Sequence, residues 1–319
     1  MNSELLENIN KVIDRNYDYF LCCSSFEERC LAIAKVLERS KIEKAIIFYN
    51  EDQKGKITEN VEKLKSLLAP INTISLHSDN PVMVISKLHE SVIENILKFD
   101  RIVNLLIDIS TFTHETLLML FRLLSLQKEK IKVSICYTNV KEYSYNVKDT
   151  SEKWLTKGVG DVRNIIGYPG YINPSRKNHL IILFGFEVER TIRIIEKFEP
   201  DFVSIGYASE NTSTNQEHFK INQQRHQELG NNYPNLNVFT TSLVDPYQTK
   251  LDLLAQIEKF PNTNIIIAPM NTKLSTLGAA LAFESNQDIQ LCYVKANLYN
   301  SEGYSLTGDT FYFFKIQFA

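Results

Sequence analysis

The chain has 319 residues, 44% of them apolar and 23% charged, with a formal net charge of −3. At roughly 150 residues per domain, that length suggests two domains. The composition excludes bulk disorder, and the charge excludes a global basic field attracting nucleic acid or anionic lipid. DNA or RNA contact through a local patch stays open.

Five cysteines are too few, and odd in number, for a disulfide scaffold, and the six histidines are scattered without metal-ligand spacing. Cys22, Cys23, Cys136 and Cys292 sit in strand-like apolar runs and Cys30 on an apolar helix face. Buried free thiols in a reducing compartment are expected. Met1 to Arg15 reads as polar and helical rather than as a signal peptide. No apolar run approaches the ~20 residues of a membrane span. The expectation is a cytoplasmic protein with no membrane role, no metal and no cofactor.

In chain order, short continuous apolar runs predict strands at 17–23, 44–49, 72–77, 103–109 and 132–138. Helical patterns fall between them at about 26–39, 57–68, 82–98 and 114–128. Residues 146–178 then hold Gly158, Gly160, Gly167, Pro169, Gly170 and Pro174. They read as a linker or an ordered crossover loop, with Trp154 as a candidate anchor. A second series follows, with strands at 179–184, 202–207, 236–241, 264–268 and 289–294. Its helices fall at about 187–198, 215–229, 247–259 and 273–285. Runs such as Ile265-Ile-Ile-Ala fit strands covered on both faces, hence parallel sheets with helical crossovers.

The two series repeat. Arg29 and Arg190 align at an offset of 161, Thr113 and Thr272 at 159, and Cys136-Tyr137 and Cys292-Tyr293 at 156. The predicted fold class is therefore α/β, with two tandem doubly wound parallel-sheet, Rossmann-like domains related by internal duplication. The predicted boundaries are 1–145 with an N-terminal helix, 146–178 as linker, and 179–319.

In such sheets ligands bind beyond the carboxyl ends of the strands. That rule nominates Ser24, Ser25 and Arg29 after the first strand. Ser110, Thr111 and Thr113 follow the fourth, and Asn139 the fifth. In the second half it nominates Gly185 and Arg190, then Asn271, Thr272 and Lys273, then Lys295 and Asn297. The hydroxyls serve equally to cap helices. Arg29 and Arg190 serve equally to reach a ligand or to pair with a neighbouring glutamate. Lys273 at a helix start adds a point charge suited to phosphate. The first loops lack G-x-G-x-x-G, which speaks against a dehydrogenase.

The element Asn271-Thr-Lys-Leu-Ser-Thr-Leu-Gly-Ala-Ala-Leu, followed by Leu291-Cys-Tyr-Val, resembles the CARF domain, the CRISPR-associated Rossmann fold. Two such units in one chain resemble the SAVED arrangement. The resemblance implies a cyclic oligonucleotide or other nucleotide ligand and a role in antiviral defence. No nuclease or protease element is present, so it also implies signalling to a separate effector protein. The first half departs from the pattern, with Thr113-His114 in place of Thr-Lys. Tyr19-Phe-Leu-Cys-Cys-Ser-Ser-Phe-Glu also resembles the first strand and loop of TIR domains. Enzymatic members of that family cleave NAD with a glutamate, for which Glu90 and Glu94 are the candidates. A nucleotide sensor, a nucleotide- or NAD-processing enzyme, and a scaffold or specificity subunit of a defence complex are the readings carried forward.

Overall fold

The computed structural model describes residues 3–51 and 55–318. Residues 52–54, between the second predicted strand and the helix predicted at about 57–68, lie outside them.

The first sheet contains β1 (Glu4–Leu5), β2 (Tyr17–Ser24), β3 (Ile42–Asn50), β4 (Ile71–Leu76), β5 (Val103–Asp108) and β6 (Ile131–Tyr143). It also contains β13 (Ser305–Ile316), and its order is β1-β13-β6-β5-β2-β3-β4. The second sheet contains β7 (Thr156–Pro169), β8 (Lys177–Leu183), β9 (Phe202–Tyr207), β10 (Asn237–Thr240), β11 (Thr263–Pro269) and β12 (Ile289–Tyr299). Its order is β10-β9-β8-β11-β12-β7.

Both sheets place their five successive parallel strands in the order third, second, first, fourth, fifth. This is the doubly wound pattern, and its recurrence supports the duplication. All eight residues of β2 are buried, as expected of a strand covered on both faces. The core of the first unit includes Phe20, Cys22, Ile47, Leu106 and Cys136; that of the second includes Leu180, Ile182, Ile205, Ile266 and Val294.

The helices of the first unit are α1 (Ile9–Val12), α2 (Ala32–Val36), α3 (Lys56–Leu67), α4 (Pro81–Leu88), α5 (Glu94–Leu97) and α6 (His114–Ser125). A π turn over His89–Ile93 joins α4 to α5. The second unit has α7 (Val188–Phe198), α8 (Gln216–Asn232), α9 (Pro246–Glu258) and α10 (Lys273–Ser285). The helix read at 26–39 is shorter than its pattern, a 3₁₀ turn Glu28–Leu31 leading into α2. The N-terminal helix is likewise reduced to a 3₁₀ turn and the four residues of α1.

The domain boundaries depart from those read in the sequence. Contacts divide the chain into residues up to Lys141 with Ser305–Phe318, and Glu142–Tyr304. The stretch 146–178 is not simply a linker or loop, because it contains β7, which pairs antiparallel with β12. The last strand, β13, belongs to the first sheet beside β6. Each sheet thus takes its sixth strand from outside its run of five.

All five cysteines are free and buried. No described helix is long and apolar enough to cross a membrane. Among the described residues no group of three or more His, Cys, Asp or Glu side chains is placed to hold a metal ion.

Candidate functional site

The nominated residues lie at the carboxyl edges of the two sheets, but much of their bonding capacity is spent within the fold. In the first unit, Ser24 Oγ donates to the Ile57 carbonyl at 3.1 Å, and Ser25 Oγ accepts from the Glu27 N–H at 3.3 Å. Thr111 Oγ1 donates to the Cys23 carbonyl at 2.6 Å. Ser110 accepts from the Thr138 N–H at 2.9 Å while its own hydroxyl binds the Asp108 carboxylate. Asn139 Nδ2 donates to Thr310 Oγ1 at 3.0 Å. Burial holds the Asp108 carboxyl up at about 6, against the lowering effect of Ser110 and the Arg29 charge.

In the second unit Asn271 Nδ2 donates to the Phe184 carbonyl, the counterpart of the Thr111–Cys23 bond. Thr272 Oγ1 donates to the Leu243 carbonyl at 2.7 Å. A Cβ on Gly185 would stand 2.6 Å from the Met270 carbonyl oxygen. Only glycine permits this approach, which packs the loops after β8 and β11 against each other. Asn297 Nδ2 donates to the Val159 carbonyl at 3.3 Å beside β7. Thr113 and Thr272 each accept from the N–H three residues on, Thr116 and Ser275, both at 3.1 Å. They are matched N-caps. Lys273 and Lys295 are half-buried.

The two arginines form matched locks. Arg29 is 3% exposed and donates to the Thr138 carbonyl at 3.2 Å, with its guanidinium 5.4 Å from the Tyr137 ring centroid. Arg190 donates to the Val294 carbonyl and lies 5.9 Å from the Tyr293 ring centroid. Glu27 pairs with Arg29 at 3.2 Å and accepts the Ser305 hydroxyl at the start of β13. Glu187 sits beside Arg190 and accepts both the N–H and the hydroxyl of Thr156, at the start of β7. Each unit therefore ties the segment that follows its first parallel strand to its fifth parallel strand and to its added sixth strand through a glutamate and an arginine. Sequence reasoning found the arginines and left their partner open; it missed Thr156 and Ser305.

Glu90 and Glu94 are solvent-exposed on the π turn and α5, with Glu94 3.9 Å from His89. A cavity of about 270 Å³ at the amino edge of the first sheet is lined by Tyr19, Lys44, Ile46, Pro70, Ile71 and Asn95. It lies at the end of the sheet opposite the nominated loops. Trp154 carries Lys157 over its ring at 4.5 Å, but the firmer anchor of its segment is Lys153. The Lys153 side chain is 1% exposed and binds Glu142 at 2.8 Å, Glu217 at 2.7 Å and the Tyr143 carbonyl at 3.0 Å.

Buried polar atoms without a hydrogen-bond partner occur in both units, among them Thr138 Oγ1 and Asn139 Oδ1 in the first, and one group of them involves α8 of the second. His218, Asn222 and His226 recur every four residues on α8, so they share one helix face. The His218 ring lies 5.1 Å from Phe186 and 5.3 Å from Tyr143. The His226 ring stacks on Tyr207 at 5.4 Å and meets Phe184 edge-on at 6.5 Å. Asn222, between them, is 5% exposed, and neither atom of its amide has a hydrogen-bond partner. His226 Nε2, Thr214 Oγ1 and Thr241 Oγ1 are also buried without one. Each such group costs about 1–3 kcal/mol if nothing meets it. Burial alone pushes His218 down to about 4 and lowers His226 as well, so both rings are neutral at pH 7. None of the residues nominated from the sequence lies on this face of α8.

No protein-family model and no curated protein matches the chain. Similar solved structures include the cytoplasmic domain of a prokaryotic cation chloride cotransporter, at 8% identity and a TM-score of 0.26. That match covers 90% of this chain and 99% of the other. Another is UDP-GlcNAc 2-epimerase from Neisseria meningitidis bound to UDP-GlcNAc, at 10% identity and a TM-score of 0.24. It covers 79% of this chain and 77% of the other. Likenesses at those scores carry no argument about what this chain binds.

Proposed function

We propose that the chain is a nucleotide-binding protein whose second unit takes the ligand, and that it acts as a sensor or regulatory subunit for a separate effector protein. The observation that carries this reading is the Asn222 amide, buried with neither Nδ2 nor Oδ1 matched, on the same helix as the unmatched His226 Nε2 and with unmatched Thr214 and Thr241 hydroxyls in the loops after β9 and β10. The start of α10 lies on the same carboxyl edge of the sheet as those loops. Phe184 links the two places: its carbonyl receives Asn271 and its ring faces His226. The positive dipole end of α10 suits a phosphate, and Lys273 adds charge. Cyclic oligonucleotides are the ligands that the CARF-like element suggests.

The test is calorimetric titration of the full chain with linear and cyclic nucleotides, including cyclic and linear di-adenylate. Lys273→Ala is expected to weaken binding tenfold or more, about 1.4 kcal/mol, with the melting temperature unchanged or raised. No binding across the panel overturns the reading. A scaffold or specificity subunit then takes its place, a reading favoured by how many edge side chains are engaged in the locks and caps.

A further inference from the structure

We infer, resting on the nucleotide-binding reading, that the second unit holds its ligand by the base, and that Asn222 on α8 reads the base edge. The helix face carrying Asn222 is walled by rings, with His226 stacked on Tyr207 on one side and His218 against Phe186 on the other. A planar group placed among such rings gains stacking energy. The Asn222 amide offers two donors and an acceptor, and Nδ2 and Oδ1 are both buried and unmatched. An adjacent donor and acceptor is the pattern that a nucleobase edge complements. Thr241, 2% exposed, adds an unmatched hydroxyl, and its N–H binds the Tyr207 carbonyl at 2.9 Å, which sets it beside the stacked pair.

The same face is poor for phosphate. Lys220, two residues before Asn222, is exposed and falls on another face of the helix. Arg225, three residues after it, donates to the Ser151 carbonyl at 2.8 Å and the Lys153 carbonyl at 3.0 Å. Arg225 also pairs with Glu228 at 3.1 Å. The two histidines on the face are neutral. A neutral heteroaromatic ring fits this chemistry and an anion does not.

The experiment uses the full chain and isothermal titration with AMP, GMP, CMP and UMP, the four nucleosides, and inorganic pyrophosphate as competitor. Nucleosides are expected to bind and to displace the nucleotides, and pyrophosphate is expected not to displace them from this face. Asn222→Asp replaces an amide by a group that only accepts, while the Watson–Crick edge of guanine presents two N–H donors. Preference should therefore move toward GMP by tenfold or more relative to wild type, a change that loss of folding cannot mimic. Asn222→Leu should remove discrimination among bases while the circular dichroism spectrum is retained. If Asn222→Asp does not fold, the nucleoside and pyrophosphate competition on wild type decides. Nucleotide binding that pyrophosphate abolishes and nucleosides do not affect overturns this inference and leaves the nucleotide reading standing. So does an unchanged base preference in a folded Asn222→Asp. Absence of binding by any nucleotide overturns both.

Discussion

Arg29 and Arg190 occupy the same place in their two units. Each donates to a fifth-strand carbonyl, Thr138 or Val294, and each lies over the tyrosine that precedes that residue. A surface arginine at a helix start gains little from a glutamate nearby. A buried one, fixed by a carbonyl, a ring and a carboxylate, is part of the frame.

Arg29→Met is expected to destabilise the first unit by about 3–5 kcal/mol, because Glu27, 8% exposed, keeps its charge and loses its cation. Arg190→Met should cost less, about 1–3 kcal/mol. Glu187 is half-buried and still accepts twice from Thr156. Urea unfolding followed by fluorescence and circular dichroism measures both. Equal effects would show that the locks do not differ as their burial says.

Thr113→Ala and Thr272→Ala should each cost about 1 kcal/mol through the lost cap. Thr272→Ala should cost more of the two, since its hydroxyl also donates to the Leu243 carbonyl. Thermal melts of the two variants give the order directly.

Acid should destabilise the second unit before extreme pH is reached. His179 and His218 are both held by burial at about 4, below the ordinary histidine value of 6.5. The unfolded chain therefore binds more protons between those values. The stability they contribute is complete above pH 6.5 and is lost as the pH falls toward 4, about 2 kcal/mol for each by pH 5. Asp108 in the first unit has the opposite sign. Its folded value of about 6 exceeds 3.8, so its contribution is complete below 3.8 and disappears as the pH rises through 6. His218→Gln should flatten the pH dependence of melting on the acid side, and Asp108→Asn should flatten the opposing trend.

All five thiols should react with Ellman's reagent only after unfolding. Burial raises the Cys22, Cys30, Cys136 and Cys292 thiols, Cys30 to about 12, which leaves little thiolate at pH 7. Cys23, whose thiol donates to the Ser24 carbonyl at 3.6 Å, is 2% exposed. Fewer than five thiols in denaturant, or fast reaction of the native protein, would contradict the burial of these groups.

The ten parallel strands were legible because each is a short apolar run between turn residues, and α10 matches its reading at both ends. The sixth strands were not. In β7, Gly158, Gly160 and Gly167 read as turn residues, and the strand pairs on one side only, so most of its residues are not fully buried. For the site, the sequence located the right edge of each sheet. It cannot distinguish a threonine that caps a helix from one that faces a ligand, because both require a hydroxyl at the first turn. Asn222 escaped notice in the polar run Gln216-Glu-His-Phe-Lys-Ile-Asn-Gln-Gln-Arg-His. The one available signal was the four-residue spacing of His218, Asn222 and His226.

The placement of β13 bears on synthesis and on engineering. The first sheet cannot be finished when its five parallel strands have left the ribosome, because its outer partner for β6 is encoded at 305–316. Until then β6 presents a bare row of N–H and C=O groups, the kind of edge that recruits foreign strands. A cut between residues 178 and 179 would therefore yield no independent halves. One fragment would lack the strand that covers β6, and the other the strand that covers β12. A circular permutant that joins the existing ends and opens the chain between β6 and β7 would instead keep β13 with the first five strands and β7 with the second five.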